Sequence, residues 1–438
     1  MSFIEVVEVS IAEPDYDRLW GSSIDLPRRG YRLEGRHVEI AGWVLGKSSP
    51  AVGVELVIGG EVVRRSRLNA NRPDLAAGFS QVADADHGGF RVELVMPREA
   101  SAEVEVRSVL RDGTRHRIGG LALRRTWRAS ADPALRQLVS VVIPCFNQAH
   151  FLPSAIESVL GQTYPDVEVV VVDDGSTDNT GAVVRRHPSA RYVRQENRGL
   201  AEARNTGIRE SLGDQIVFLD ADDLLSPDAL ALGRTALEEH PEAAFVFGYS
   251  SFLMDDGSET PPPFAPVLEG DPYRALLASC PIISPAAAMF RRAAFGAVGV
   301  FDPTKTPSED YDLYCRIARV YPIHGHGAVV SSYRQHGSSM STNHARMLRG
   351  TLGVVRSQRG TIWRRPDLWT AYRRGVRFFR RHYGEAIAAD VQRHIQARRW
   401  RQAARGFLTL VVARPPLAAA LVRSRGRHVA ASSEETDR

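Results

Sequence analysis

Apolar residues follow three successive rhythms along this chain. Between about residues 30 and 125 they alternate with polar residues or sit in short β-branched runs, over 38–44, 52–58, 90–95 and 104–109. Gly59-Gly60, Gly88-Gly89 and Asp112-Gly113 stand between these runs as turns. Short strands at this spacing predict a small all-β sandwich. From Val139 the pattern becomes strands alternating with amphipathic helices. Residues 139–143 and 167–172 read as buried strands, and Phe151, Leu152, Ile156, Val159 and Leu160 mark one helix face between them. The apolar run 216–219 is another buried strand. Such alternation predicts a mostly parallel α/β sheet. From about residue 346 the spacing turns helical, with Ile387, Val391 and Ile395 on one face and a further helix over 399–412. Residues 124–133 read as a linker. The expected organisation is a β-sandwich over 1–128, an α/β domain over 133–345, and a helical region over 346–438 whose end is disordered.

Composition adds limits rather than a function. A length of 438 residues accommodates two or three domains. Three cysteines, Cys145, Cys280 and Cys315, are odd in number and widely spaced, which fits neither a disulfide framework nor a zinc pattern and points to a reducing compartment. The start of the chain lacks the basic and apolar regions of a signal peptide, and no run of about 18 apolar residues reads as a membrane span. A cytoplasmic protein is expected, on the inner face of the cell membrane if it meets one. Charge is unevenly placed. From Arg346 to His428 there are 20 Arg and no Lys against 3 acidic residues, a balance of +17 in a chain whose net charge is only +5. An anionic partner surface would suit that segment. With two lysines against 54 arginines in the whole chain, a compositional bias toward arginine is the competing explanation.

The chemistry concentrates where predicted strands end. Asp220-Ala221-Asp222-Asp223 follows the 216–219 run, and in open α/β sheets ligands bind outside the carboxyl ends of strands. Side chains two apart on extended backbone share a side, so Asp220 and Asp222 can face one ligand. Carboxylates of this kind suit Mg²⁺ or Mn²⁺ bridged to a diphosphate. A helix cap with a solvated acidic turn is the plainer reading of the same residues. Pro144-Cys145-Phe146-Asn147 and Asp173-Asp174-Gly175-Ser176-Thr177-Asp178 end two other strands. An aromatic ring beside a carboxylate suits a nucleobase, which stacks on one and donates N–H to the other. Asp178 or Ser176 is also expected to cap the following helix. No G-x-G-x-x-G follows either strand, and G-x-x-x-x-G-K-[ST] is absent, which argues against dinucleotide dehydrogenases and excludes P-loop enzymes.

Four blocks occur in order: Val139-Ser-Val-Val-Ile-Pro-Cys-Phe-Asn147, Val171-Val-Asp-Asp-Gly-Ser-Thr-Asp178, Glu196-Asn-Arg-Gly-Leu-Ala-Glu-Ala-Arg-Asn-Thr-Gly207 and Phe218-Leu-Asp-Ala-Asp-Asp-Leu-Leu-Ser-Pro-Asp228. Together they resemble the family 2 glycosyltransferases of GT-A fold, over roughly residues 138–340. The resemblance implies a nucleotide-sugar site formed by Pro144, Phe146, Asn147, Asp174, Arg204, Asp220, Ala221 and Arg334. Within it, Phe146 would stack on the base, Asp174 would contact it, Arg204 would near the ribose and diphosphate, and Asp220 would near the ribose. Asp222 would bind Mn²⁺ or Mg²⁺. Ser308-Glu309-Asp310-Tyr311-Asp312-Leu313 looks like the family's acceptor-side motif, which makes Asp310 the general base with Glu309 beside it. Tyr333-Arg334-Gln335-His336, followed by Gly337-Ser338-Ser339, resembles its closing loop, where His336 would complete the metal site.

The expected activity is therefore inverting, metal-dependent transfer of a sugar, most simply from a UDP-sugar, to a hydroxyl of a glycan or lipid-linked acceptor in bacterial cell-surface polysaccharide synthesis. A dTDP- or GDP-sugar donor is the alternative, and a catalytically silent glycan- or nucleotide-binding module the alternative from another class. No nucleic-acid partner is expected. Ala41-Gly-Trp-Val44, Arg72-Pro-Asp74 and Gly89-Phe90 resemble the β-sandwich modules fused to some bacterial glycosyltransferases, with Trp43 as core and His37, His87 and His116 as surface residues. The arginine-rich segment also carries Trp363, Trp369, Phe378, Phe379, Trp400 and Phe407. Two readings stand for it: a helix pair on anionic lipid, or helices packed on the α/β domain.

Overall fold

The computed structural model describes residues 2–34, 37–97, 101–127, 132–254, 256–261, 270–337, 339–419 and 421. The end expected to be disordered (422–438), Ser338 and residues 128–131 of the expected linker lie outside them.

The N-terminal module pairs a six-stranded with a three-stranded antiparallel sheet. Alternating residues from both, among them Ile4, Val38, Phe90, Val104 and Leu121, fill one apolar core. The expected strands are present as His37–Gly46, Ala51–Ile58, Gly89–Val95 and Ser101–Leu110. The linker expected from Arg124 is shorter. Strand Arg115–Trp127 continues through it because Ser2–Ile11 pairs along its length, and that first strand has no turn signal before it. Arg125 is buried, donates from Nη2 to the Pro97 carbonyl at 2.8 Å, and lies 5.1 Å from the Tyr321 ring of the α/β domain. His116 is not a surface residue. Its side chain is 17% exposed with Nδ1 3.4 Å from an Asp15 carboxylate oxygen. Trp43 packs against Phe79 at 5.5 Å between ring centroids.

The α/β domain is built on a nine-stranded mixed sheet. Its parallel half runs Ala190–Arg194, Val167–Asp173, Val139–Cys145, Gln215–Phe218. Ala288–Arg291 then joins antiparallel and leads to Phe245–Leu253 and His324–Arg334, which are parallel to each other. All seven residues of Val139–Cys145 are buried, as a strand covered on both faces requires. Helix Leu152–Leu160 covers one face with Leu152, Ala155, Ile156 and Val159. Helix Leu200–Glu210 approaches so closely at Gly207 that a Cβ there would lie 2.1 Å from Val142 Cγ1. Leu224-Leu225 is a two-residue strand paired with Ser331 and Ser332. It is too short to show a period.

The C-terminal helices His344–Ser357, Pro366–Gln396 and Trp400–Ala413 share the α/β core, which runs from Val139 to Ala418. The expected division after 345 thus falls inside a helix. Pro366–Gln396 lies on helix Pro272–Ala278, and at Gly375 a Cβ would meet the Leu277 carbonyl oxygen at 1.9 Å. Phe379 is buried 5.7 Å from the Tyr311 ring, and Trp369, Phe378 and Phe407 pack partly buried on the same core. Those four aromatics therefore face protein, whereas Trp363 and Trp400 are 62% and 56% exposed.

Candidate active site

The parallel strands end side by side, so their terminal loops meet at one edge of the sheet. Val139–Cys145 delivers Phe146, whose side chain is 46% exposed beyond the buried Pro144. An apolar ring left open beside polar loops has a face free for stacking. Asn147 follows with φ of 54°, in the left-handed region that Asn tolerates. Its Oδ1 accepts from Thr177 N at 2.8 Å and its N donates to Ser176 Oγ at 3.0 Å, which locks the two strand-end loops together. Asp178 accepts from Thr180 N and Ala149 N, both at 3.0 Å.

Asp174 is buried and already engaged. Gln195 Nε2 at 2.7 Å, Arg198 N at 2.8 Å and Gly199 N at 2.8 Å all donate to its carboxylate. Its visible work is to fix residues 195–199 at the start of helix Leu200–Glu210. Any contact it makes with a base uses the lone pairs that remain.

Asp220, Ala221 and Asp222 follow strand Gln215–Phe218. Ala221, between the two aspartates, is fully buried. Asp222 Oδ2 accepts from Gln148 Nε2 at 3.0 Å and lies 2.8 Å from His336 Nε2. Asp223 turns inward. It accepts from Ser284 Oγ at 2.8 Å and from Arg334 N at 3.0 Å, so it anchors the 333–336 segment from below. Burial, and then the nearby Asp220 and Asp222 charges, hold its carboxyl well above the usual carboxylate range. Arg334 Nε donates to the Asp222 carbonyl at 2.9 Å, and its guanidinium lies 5.2 Å from the Phe151 ring. Phe151 in turn meets the His336 ring at 4.7 Å. The helical spacing had placed Phe151 in the core, but it precedes the first turn and points to the site.

The pair Asp222 and His336, with Gln148 beside them, is a donor set that fits a hard divalent ion. Mg²⁺ and Mn²⁺ take one or two protein ligands and complete their shell with phosphate oxygens and water. Among the described residues no group of three or more His, Cys, Asp or Glu side chains stands together as a protein-only cage.

Arg204 lies within the protein rather than on the cleft wall. It is 2% exposed, with Nη2 2.7 Å from Asp220 Oδ1 and Nη1 3.0 Å from Glu309 Oε1. It thereby ties the end of strand Gln215–Phe218 to the first turn of helix Glu309–Ala318. Glu309 meets Arg204 through Oε1 and keeps a buried Oε2 without a hydrogen-bond partner among the described residues, whereas Asp310, next to it, lines an open cavity of about 610 Å³. Burial, and then the Glu309 charge, raise the Asp310 carboxyl to about 7, against the opposing pull of Arg204. His336 lines the same cavity, so Asp310 and the histidine beside Asp222 face one space.

Phe151, Gln148, Gln195 and Ser284 are the participants that the sequence did not single out. Gln148 and Gln195 lie next to recognised blocks and could have been found by proximity. Ser284 reaches Asp223 only through tertiary folding.

Residues 140–299 match the sequence model of the family described as Glycosyl transferase family 2. An uncharacterized glycosyltransferase of Rickettsia felis is 30% identical over 223 residues, which cover 47% of this chain and 36% of that protein. The chondroitin synthase of Escherichia coli is 30% identical over 213 residues, covering 47% and 30%. The chain thus spans about a third of the length of these curated relatives. Among solved structures, S. aureus TarS in complex with UDP-GlcNAc aligns with a TM-score of 0.46 at 17% identity, over 65% of this chain and 83% of that one. A mannosyltransferase from Pyrobaculum calidifontis in complex with GDP-Man and Mn²⁺ aligns at 0.45 and 23%, over 69% and 83%. With the matched blocks lying on the strand ends just described, residues 140–299 are similar to the family 2 glycosyltransferases.

Proposed function

We propose that this protein transfers a sugar, with inversion, from a nucleotide-sugar donor to an acceptor hydroxyl. A UDP-sugar is the donor and a glycan or lipid-linked glycan of the cell surface the acceptor. The observation that carries this reading is that Asp310 and His336 line one cavity, with His336 Nε2 2.8 Å from Asp222 Oδ2. Single displacement needs a base on one side of the anomeric carbon and a stabilised leaving group on the other. Asp310, with its carboxyl near 7, takes the acceptor proton at neutral pH. The deprotonated oxygen bonds to the anomeric carbon as the bond to the nucleoside diphosphate breaks. Asp222 and His336 would hold Mn²⁺ or Mg²⁺, whose chemistry is to neutralise charge growing on the diphosphate. Phe146 gives the base a stacking face, and Arg334 lies within the same segment as His336. The name of the Escherichia coli relative, chondroitin synthase, favours polysaccharide synthesis. The C-terminal region also meets an anionic membrane surface: Trp400, Leu408, Val411 and Val412 are exposed on an arginine-bearing helix, although no described helix is long and apolar enough to cross a membrane.

The test is a screen of the purified chain against UDP-, dTDP- and GDP-sugars for released nucleoside diphosphate, with product anomers read by NMR. Turnover with a UDP-sugar and inverted product supports the reading. Retention of configuration, or no turnover with any donor, overturns it.

A further inference from the structure

The space in front of Asp310 has walls that the family 2 match does not cover. That match ends at residue 299, yet Phe378, Phe379, His382 and Tyr383 of helix Pro366–Gln396 line the cavity, as does His344 of the preceding helix. At about 610 Å³ the cavity falls within the range of roughly 300–1,000 Å³ usual for small-molecule sites. None of its described lining residues is Lys or Arg, and Asp310 is its one carboxylate. An anionic occupant would therefore find no Lys or Arg partner and one acidic neighbour.

The walls offer aromatic rings more than hydroxyls. Tyr333 OH donates to Ser341 Oγ at 2.7 Å, and Tyr311 OH donates to the Leu276 carbonyl at 2.6 Å. Phe378 and His382 stack nearly parallel, 8° apart with centroids at 5.9 Å. Polar side chains are interspersed with these rings, among them Gln335, Ser339, Thr342 and His344. His344 Nδ1 lies 2.7 Å from Asp390 Oδ2, across the contact between the two helices. A carboxylate on Nδ1 fixes the ring and leaves Nε2 as its remaining polar atom. Arg393 also contacts the Asp390 carboxylate.

We infer that this cavity holds the terminal pyranose ring of an uncharged glycan acceptor, with the C-terminal helices as its selecting wall and His344 Nε2 bonded to a ring hydroxyl. An uncharged pyranose matches both features. Its C–H faces lie on the aromatics, its hydroxyls reach His344, and one of them reaches Asp310. Asp390 is then a positioning residue that acts through His344. The assignment rests on the glycosyltransferase reading above, and it gives the C-terminal helices a part in choosing the acceptor.

The experiment reads binding, so that it can fail apart from catalysis. Full-length protein with UDP is titrated with methyl pyranosides (glucoside, galactoside, mannoside and the two N-acetylhexosaminides) and with glycerol 3-phosphate, using saturation-transfer NMR. UDP affinity is measured separately by calorimetry. At least one methyl pyranoside should bind. H344A and H382A should each weaken it at least 5-fold, D390N should weaken it less, and D390N added to H344A should cost nothing further. UDP affinity should hold in all variants. His382 is exposed on its helix, so its truncation keeps the test valid should H344A fail to fold. Binding of glycerol 3-phosphate alone, no pyranoside binding, or undiminished binding in H344A and H382A would overturn the assignment. Absence of UDP binding together with intact pyranoside binding would instead count against the nucleotide-sugar reading and leave this cavity as a sugar site.

Discussion

Replacing Arg204 with Met separates what the buried ion triad does for stability from what it does for chemistry. Met keeps much of the volume but removes the cation between Asp220 and Glu309, at 2.7 and 3.0 Å. Arg204 and Glu309 are each 2% exposed, so water cannot replace the lost partner. Breaking a buried pair of this kind costs about 3–5 kcal/mol. The orphaned carboxylates can limit that loss by taking up protons, which raises their folded-state pKa values. A carboxyl raised in the folded state favours folding below its unfolded pKa, and that advantage is lost as pH rises through the folded value. The deficit of Arg204→Met should therefore be small near pH 4–5 and reach its full size above pH 7. Urea unfolding of both proteins at pH 5 and pH 8 measures it directly. The same substitution removes a charge that holds the Asp310 carboxyl down at about 7. The rising limb of the pH–rate profile should then move to higher pH. A deficit under about 1 kcal/mol at pH 8, with the limb unmoved, would refute the argument that Arg204 balances these carboxylates.

Four further outcomes are expected. Asp310→Asn should lower turnover roughly 10²–10⁴-fold with near-normal donor binding, and in the native protein kcat/KM should rise with pH through about 7; abolished nucleotide binding in the variant would contradict the assigned role. Chelator should stop turnover and Mn²⁺ or Mg²⁺ restore it, while Asp222→Ala should lose on the order of 10²-fold or more; full activity in chelator excludes the metal. Phe146→Ala should weaken nucleoside diphosphate binding by about 1–3 kcal/mol with stability intact, whereas Asp174→Ala should also destabilise the fold, because three donors lose their acceptor; equal thermal stability of the two would contradict that division. Sedimentation with anionic vesicles should increase with their charge and fall with salt, and loss of that dependence in full-length protein would remove the membrane from the proposal.

The placement of these loops at strand ends was legible in the sequence because it is local. Pro144 to Asn147, Asp173 to Asp178 and Asp220 to Asp223 each sit where an apolar run stops, and one window of residues reveals the loop. Pairings that depend on distant segments were not legible in this way. Arg204 faces away from solvent because Glu309, 105 residues later, meets it inside the protein. Asp223 belongs to the scaffold because Ser284 and the Arg334 backbone claim it. The C-terminal arginines drew attention to charge, while the decisive residues of those helices were Gly375 and Phe379, whose contacts lie across the core.

The close seating of helix Pro366–Gln396 on Leu277 bears on how the chain matures. Chains are made from the N-terminus, and domains generally fold as units during synthesis. The β module has its own core and can close early. The α/β sheet cannot, because Tyr273, Leu276 and Tyr311 share a core with Leu368, Phe379 and Leu410. Until those last helices leave the ribosome, an apolar face of the nascent domain stands open to water and to other chains. Closure of that face therefore waits on the synthesis of the helices that cover it.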